Sequence, residues 1–506
     1  MKISLPTLEN PEITQSRAAL SERGFDRCAQ LVLLVPKLAR VAVPASVPYA
    51  TELNARLKRG GWRKPPPHAV VELPNAAGTR IVVGFVKVDA QPFERQTAAR
   101  KLVAASRAEK TGTLAVAFAE LGDATSGWAD AMVAAASAAA FDLAKFERKP
   151  APSTRLTRVD LLGLAERTDF ARTLAAAAGN NLARWLGALP GNALPPSRYR
   201  KLIAELAKRY GWKVETLDQR ALARRGCGAF LAVVQASADA DAAIVRLQYR
   251  PRSKARKTVA LVGKGICFDT GGVNLKPARY MNGMHEDMLG SAVALGTLLA
   301  LTDLRAPIAV DCWLALAQNH IGPRAYKPND VVTASDGTTI EVVHTDAEGR
   351  MVLADTLALA VQRKPDLMFD YATLTGSCVS ALGTRYSGVF SNRAALNEPL
   401  RRAGHASGER VWPFPMDADY DEALASKVAD VKQCTLDNDA DHILGARFLG
   451  RFVGDKTPWV HVDLSAGGAK GGLGAVPTDM TGFGVRFSLE ALLGGEVMAA
   501  ANRGSD

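Results

Sequence analysis

Runs of apolar and β-branched residues, each closed by polar residues or glycine, recur along the chain. They predict strands at CAQLVLLV (28–35), RIVVGFV (80–86) and GTLAVAF (112–118). The Ala-rich stretch 127–143 reads as a helix. A charged and then Pro/Ser-rich stretch, ERKPAPSTRL (147–156), reads as a connection between two parts of the chain. Helices follow at 170–186 and 197–210, the second ending at Gly211, a residue suited to a helix C-cap.

The second half alternates more strictly. TVALVG (258–263), IAVDCWLAL (308–316), IEVVHT (340–345) and DLMFDYATL (366–374) read as strands. Between them, 285–302 carries Met288, Leu289, Ala292, Leu295, Leu298 and Leu299 at helical spacing, and MVLADTLALAVQR (351–363) reads as a second helix. Such alternation implies crossovers and a parallel or mixed sheet. The expected class is α/β. A larger domain at 165–506 has a central mixed sheet flanked by helices, a smaller α/β domain occupies 1–150, and 151–164 links them. AGGAKGGLGA (466–475) reads as a glycine loop.

At 506 residues, 48% apolar and 23% charged, the chain is long enough for two or three domains with real cores. This composition excludes a collagen, a coiled coil and a mostly disordered chain. Six cysteines without a CxxC pair exclude a disulfide scaffold and argue against a structural zinc site. With no apolar leader region and no stretch near the ~18 residues of a membrane span, the expected location is the cytoplasm. Net charge is +12, unevenly spread. Residues 1–256 hold 40 Lys and Arg against 22 Asp and Glu, whereas residues 257–506 hold 23 against 29. A basic half can attract DNA or another polyanion, or can simply be solvated surface. The acidic half suits cations.

Polar residues gather where the predicted strands stop, in VGKGICFDTGGVNLKP (262–277) with MHEDMLGSA (284–292), in HTDAEGRMVLAD (344–355), and in ATLTGSCVSALG (372–383). Asp269, Asp287, Asp346 and Glu348 would repel one another in one pocket unless cations neutralised them. Asp346 and Glu348, two apart, would face the same way on an extended strand end. Two divalent metals there would supply hydroxide near neutral pH. Lys264, Lys276 and Arg350 lie in the same segments. Each either neutralises a neighbouring carboxylate or serves catalysis, as a metal ligand or as an oxyanion stabiliser. No P-loop, GxSxG, HExxH or GxGxxG pattern competes. His285 and His344 read as packing or support rather than ligands, and Cys267 as a buried filler.

These segments resemble the leucyl aminopeptidase family of two-metal exopeptidases. The resemblance is carried by HTDAEGRMVLADTL, by the series Lys264, Asp269, Lys276 and Asp287, and by Leu374-Thr375-Gly376. It covers about 165 to the C-terminus. It implies a metal-dependent aminopeptidase that removes the N-terminal residue of peptides through a hydroxide bridging two divalent metals, Mn²⁺ or Zn²⁺, with a broad preference for apolar residues such as Leu. Asp269 and Glu348 would bridge the metals, Asp346 would complete one site, and Lys264 with Asp287 the other. Lys276 would polarise the scissile carbonyl. Arg350 would hold a bicarbonate acting as general base. Thr373, Leu374 and Gly376 would line the cleft, with Met284 near the first side-chain pocket. The family assembles as homohexamers, and some members also bind DNA. Against the family pattern, His344 replaces Asn, Thr270 replaces Ser, the small-residue stretch reads DNDADHILGARFL (437–449), and RWLGALPGNALPP (184–196) loses a charge. None of these removes an expected ligand. A DNA-binding or scaffold hexamer, and a binding protein with a dead site, are the rival readings.

Overall fold

The computed structural model describes residues 3–107, 111–149, 154–255, 257–437 and 439–502. They form two compact units, one of Leu8–Ala177 with Lys470–Asp479, the other of the remaining chain.

The first unit is built on six strands: β1 (Glu12–Ser16), β2 (Gln30–Pro36), β3 (His68–Glu72), β4 (Arg80–Val86), β5 (Thr113–Phe118) and β6 (Arg158–Leu162). Their order is β1-β6-β5-β2-β4-β3, parallel throughout except for the edge strand β3. The two-residue period of a strand divides the central side chains between two faces. Val32 and Leu34 pack with Leu102, Trp128 and Met132 on one, while Leu31 and Leu33 pack with Phe25, Leu53 and Leu57 on the other.

The expected linker at 151–164 is corrected by β6, which pairs with both β1 and β5. Only Val159 and Leu161 of its five residues face inward, too short an alternation to stand out beside the Pro/Ser-rich stretch. Residues 151–153 lie outside the described residues. The expected boundary at 165 moves as well, because the first unit runs on to Ala177 and takes in Lys470–Asp479, which includes 470–475 of the glycine loop.

In chain order the second unit carries β7 (Lys213–Asp218), β8 (Ala243–Tyr249), β9 (Thr258–Asp269), β10 (Ala309–Asn319), β11 (Val331–Thr333), β12 (Thr339–Glu341), β13 (Leu367–Ala372), β14 (Ser387–Ser391), β15 (Val411–Pro413), β16 (Val431–Lys432) and β17 (Trp459–Asp463). Eight of them form a mixed sheet in the order β15-β14-β17-β13-β9-β10-β8-β7, and β11-β12-β16 form a small separate one. The central strands β10, β9, β13 and β17 run parallel, so their C-terminal ends open on one edge. Ligand sites of α/β sheets lie at such an edge.

Helices cover both faces of this sheet. Ala260 and Val262 of β9 share a core with Met351, Val352 and Leu353 of the helix Glu348–Val361. On the other face the helix Leu289–Asp303 packs so close that a Cβ on Gly263 would lie 2.5 Å from the Ser291 Cα. Glycine is required there by backbone approach.

Three local expectations change. The predicted strand 340–345 is only the short β12, and the chain then turns through 344–347. The helix expected from 351 begins at Glu348. Asp346 and Glu348 therefore do not share an extended strand end; one sits in a turn and the other opens a helix. The helix expected from 285 starts at Leu289, after a 3₁₀ turn at Met284–Glu286.

Candidate active site

Asp269 is the last residue of β9, and Lys264 lies five residues earlier on the same strand. Lys264 points to the face covered by the helix Glu348–Val361. Its Nζ is 2.8 Å from Asp287 Oδ1, 2.9 Å from Glu348 Oε1, and donates to the Thr373 carbonyl at 3.0 Å. Lys276 Nζ lies 2.9 Å from Asp269 Oδ2 and 2.6 Å from Asp346 Oδ1. The predicted ligands Lys264, Asp269, Asp287, Asp346 and Glu348 are thus brought together with Lys276.

Carboxylate oxygens of Asp269, Asp346 and Glu348 lie within 4.8 Å of one another. Asp287, Asp269, Asp346 and Glu348 outnumber the two ammonium groups between them, leaving negative charge in a mostly buried site. Burial and the neighbouring Asp269 push the Glu348 carboxyl up to about 8, despite the two lysines. Burial, Asp269 and Glu348 push Asp346 up to about 7. Burial raises Asp287 to about 6, although Lys264 opposes it. Burial also disfavours the ammonium of Lys264, but Asp287, Glu348 and Asp269 overcome it and hold the lysine above its ordinary range. Lys276 is raised in the same way. Asp287 Oδ2 and Glu348 Oε2 are buried without a hydrogen-bond partner. An all-oxygen cluster with orphaned acceptors and surplus negative charge fits divalent cations, which would lower these carboxyl values.

Supporting residues fix the cluster. Asn319 Nδ2 and the Gly271 N–H each donate to Asp269 Oδ1 at 2.8 Å. Thr345 Oγ1 donates to the Gly271 carbonyl at 2.6 Å, and its own carbonyl accepts from Tyr326 at 2.7 Å. His344 Nδ1 accepts the Asp346 N–H at 3.2 Å, so His344 supports the turn. Burial, then Lys276, lowers its imidazole. His285 is absent from the carboxylate cluster, and Cys267 is buried with its thiol pushed up by burial.

The third motif packs against the same lysine. Thr373 Oγ1 donates to Asp287 Oδ1 at 2.7 Å, beside its carbonyl on Lys264. Leu374 N–H donates to Asp463 Oδ1 at 3.1 Å, and Thr375 Oγ1 to Asp463 Oδ2 at 2.7 Å. Gly376 opens the helix Gly376–Leu382 and is exposed. Leu374 and Met284 are half-buried. The Arg350 guanidinium, the expected anion site, already has partners within the chain. It donates to the Gln433 carbonyl at 2.8 Å and to both Asp441 oxygens at 2.9 and 3.1 Å.

The cytosol aminopeptidase family, catalytic domain, matches residues 181–489. The chain belongs to this family. Over 484 residues it is 36% identical to a probable cytosol aminopeptidase of Polaromonas sp., covering 94% of this chain and 93% of that one. A probable cytosol aminopeptidase of Parasynechococcus marenigrum is 41% identical over 398 residues, 78% of this chain and 81% of its own. The matched stretch contains every residue of the cluster, and Asn319, Asp441 and Asp463 as well. Sequence reasoning did not single out these last three. Asn319 and Asp463 end strands, the same position that marked Asp269, and that was their available signal. Asp441 gave none, since its partner is 91 residues away.

Proposed function

We propose that this chain, a metal-dependent hydrolase of the aminopeptidase class, removes the N-terminal residue from peptides using two divalent metals, Mn²⁺ or Zn²⁺. The observation that carries the reading is the buried cluster of Asp269, Asp346 and Glu348, with Lys264 and Asp287 against it. Asp269, Asp346 and Glu348 would hold one part of the metal pair, and Lys264 with Asp287 the other. Bound metals supply Lewis-acid polarisation and a nucleophile from water near neutral pH. Lys276, pinned between Asp269 and Asp346, would present its ammonium to the scissile carbonyl oxygen and stabilise the charge that develops there. Thr373, Leu374 and Gly376 would orient the substrate backbone, and the half-buried Leu374 and Met284 support an apolar first residue. A free α-amine would be required, which restricts cleavage to N-termini. A bicarbonate on Arg350 is the proton acceptor the resemblance implies, on a guanidinium that already meets Asp441.

A homohexamer and a cytoplasmic location accompany the reading. That the chain's relatives are named cytosol aminopeptidases supports the location. Among the described residues, no helix is long and apolar enough to cross a membrane. The basic surplus of residues 1–256 favours DNA binding as a second reading, which a shift assay at low and moderate salt reads directly.

The test is hydrolysis of a leucine anilide with Mn²⁺, with Zn²⁺ and after chelation, beside the N-acetylated substrate. Metal-dependent cleavage of the free-amine substrate alone is expected. No cleavage of several free-amine substrates by metal-loaded protein would overturn the reading.

A further inference from the structure

Arg350 projects from the first turn of the helix Glu348–Val361 and is 2% exposed. Its Nη2 donates to both carboxylate oxygens of Asp441, and its Nη1 is taken by the Gln433 carbonyl. Asp441 opens the helix Asp441–Val453, within the stretch that departs from the family pattern. A carboxylate is favoured at that end by the helix dipole. The pair stands beside the cleft segment. A Cβ on Gly445, one turn along the same helix, would fall 3.1 Å from Leu374 Cδ2 and 3.5 Å from Arg350 Nη2. His442 anchors the same helix end to Ser377 through its backbone N–H, at 2.9 Å. Toward the acidic cluster lies His344, which feels the charges of Lys276, Asp441 and Arg350 while its Nδ1 holds the Asp346 N–H.

Peptide hydrolysis needs a base that takes a proton from water and later delivers it to the leaving amine. Asp269, Asp287, Asp346 and Glu348 each contact Lys264 or Lys276 and belong to the metal-binding set. Asp441 is a carboxylate outside that set, held in place by a buried guanidinium, with 19% of its side chain open to solvent.

We propose that Asp441 is the resident anion of the Arg350 site and the proton acceptor of the reaction, so that hydrolysis needs no dissolved bicarbonate. The inference rests on the two-metal aminopeptidase reading. As the water oxygen bonds to the scissile carbonyl carbon, one water proton passes to the Asp441 carboxylate. The C–N bond then breaks, the Asp441 carboxyl gives that proton to the departing nitrogen, and the carboxylate is restored. Arg350 keeps both oxygens oriented throughout. Bicarbonate reaches Arg350 only by displacing Asp441.

The test compares metal-loaded wild type, Asp441→Ala and Asp441→Asn in buffer stripped of carbon dioxide and in buffer with added bicarbonate. Wild-type kcat is expected to be the same in both. Both variants should lose about 10²-fold in kcat with little change in KM. Bicarbonate should restore Asp441→Ala, whose guanidinium is then open. A second arm needs no turnover: carbon-13 NMR of labelled bicarbonate should report binding to Asp441→Ala and none to wild type. Bicarbonate stimulation or binding of wild type would overturn the proposal, as would near-wild-type kcat of the variants in stripped buffer. Absence of any metal-dependent cleavage by wild type would instead strike the aminopeptidase reading, while the NMR arm still reads the Arg350 site.

Discussion

A Cβ on Gly349 would lie 2.6 Å from the Nζ of Lys264. Glycine at this point in the first turn of the helix lets the lysine pass over the backbone to reach the adjacent Glu348. In an exposed helix, alanine would be favoured over glycine by about 1 kcal/mol. Here the added methyl must push Lys264 away from Asp287, Glu348 and the Thr373 carbonyl. Because the obstructing atoms are the end of a flexible side chain, the fold should tolerate the change while the site does not. Gly349→Ala is expected to keep its melting temperature within a few degrees and to lose metal affinity and turnover together, by about 10²-fold. Metal titration with parallel kinetics checks this, and wild-type affinity would remove the role given to the contact.

Lys276 meets Asp269 and Asp346, whereas Lys264 meets Asp287 and Glu348. On the proposed reading, removing Lys276 takes away a charge aimed at a developing oxyanion, an effect worth about 10²–10³ in kcat. Asp346→Ala removes a member of the carboxylate cluster itself. Both variants should lose most turnover, but for different reasons. Lys276→Ala should still load metal, whereas Asp346→Ala should load it poorly. Near-normal kcat in either, with metal content measured, would sink the assignment.

These residues were legible in the sequence because their chemistry is local to strand ends. Asp269 closes a run of buried residues, and Lys276 and Asp287 follow within 18 residues. The central strands β2, β4, β5, β9 and β10 were legible for the same reason, being nearly continuous apolar runs. What stayed hidden depended on distant partners. β6 is a strand because β1 and β5 flank it, and its own five residues carry little signal. The start of the helix at Glu348 was misplaced because Glu348 and Arg350 are polar residues buried by the site rather than by an apolar face. The pairing of Arg350 with Asp441 spans 91 residues and rests on no periodicity.

Asp463, at the end of β17, holds two consecutive residues of the proposed cleft segment, the Leu374 N–H and the Thr375 hydroxyl. It touches neither lysine of the cluster by any hydrogen bond in the structure. Asp463→Ala should therefore let the segment 373–376 shift while the metal set stays in place. The expected outcome is a KM raised about tenfold or more with metal content unchanged, since misplacing a positioning group costs orientation first. A variant with wild-type KM and reduced metal would show that the aspartate serves the metals instead.

Asp355 closes the second motif, yet it serves the core. It is fully buried on the helix Glu348–Val361, and its two oxygens accept the Phe230 N–H at 2.8 Å and the Ser335 N–H at 2.7 Å. Asparagine has only one acceptor oxygen, so Asp355→Asn leaves one of these donors facing an amide and should cost about 1–3 kcal/mol. The pH dependence is a separate signature. Burial raises this carboxyl from 3.8 to about 6, even though the two N–H groups favour the charge. The folded state holds the proton more tightly than the unfolded one, so this group adds stability below pH 3.8 that is lost as pH rises through about 6. Asparagine has no such proton. The stability of wild type relative to Asp355→Asn should therefore fall, by up to about 3 kcal/mol, between those two pH values. Urea unfolding of both proteins from pH 4.5 to 7.5 would trace the upper part of that fall. Parallel curves would mean that Asp355 stays ionised throughout, with its backbone donors outweighing its burial.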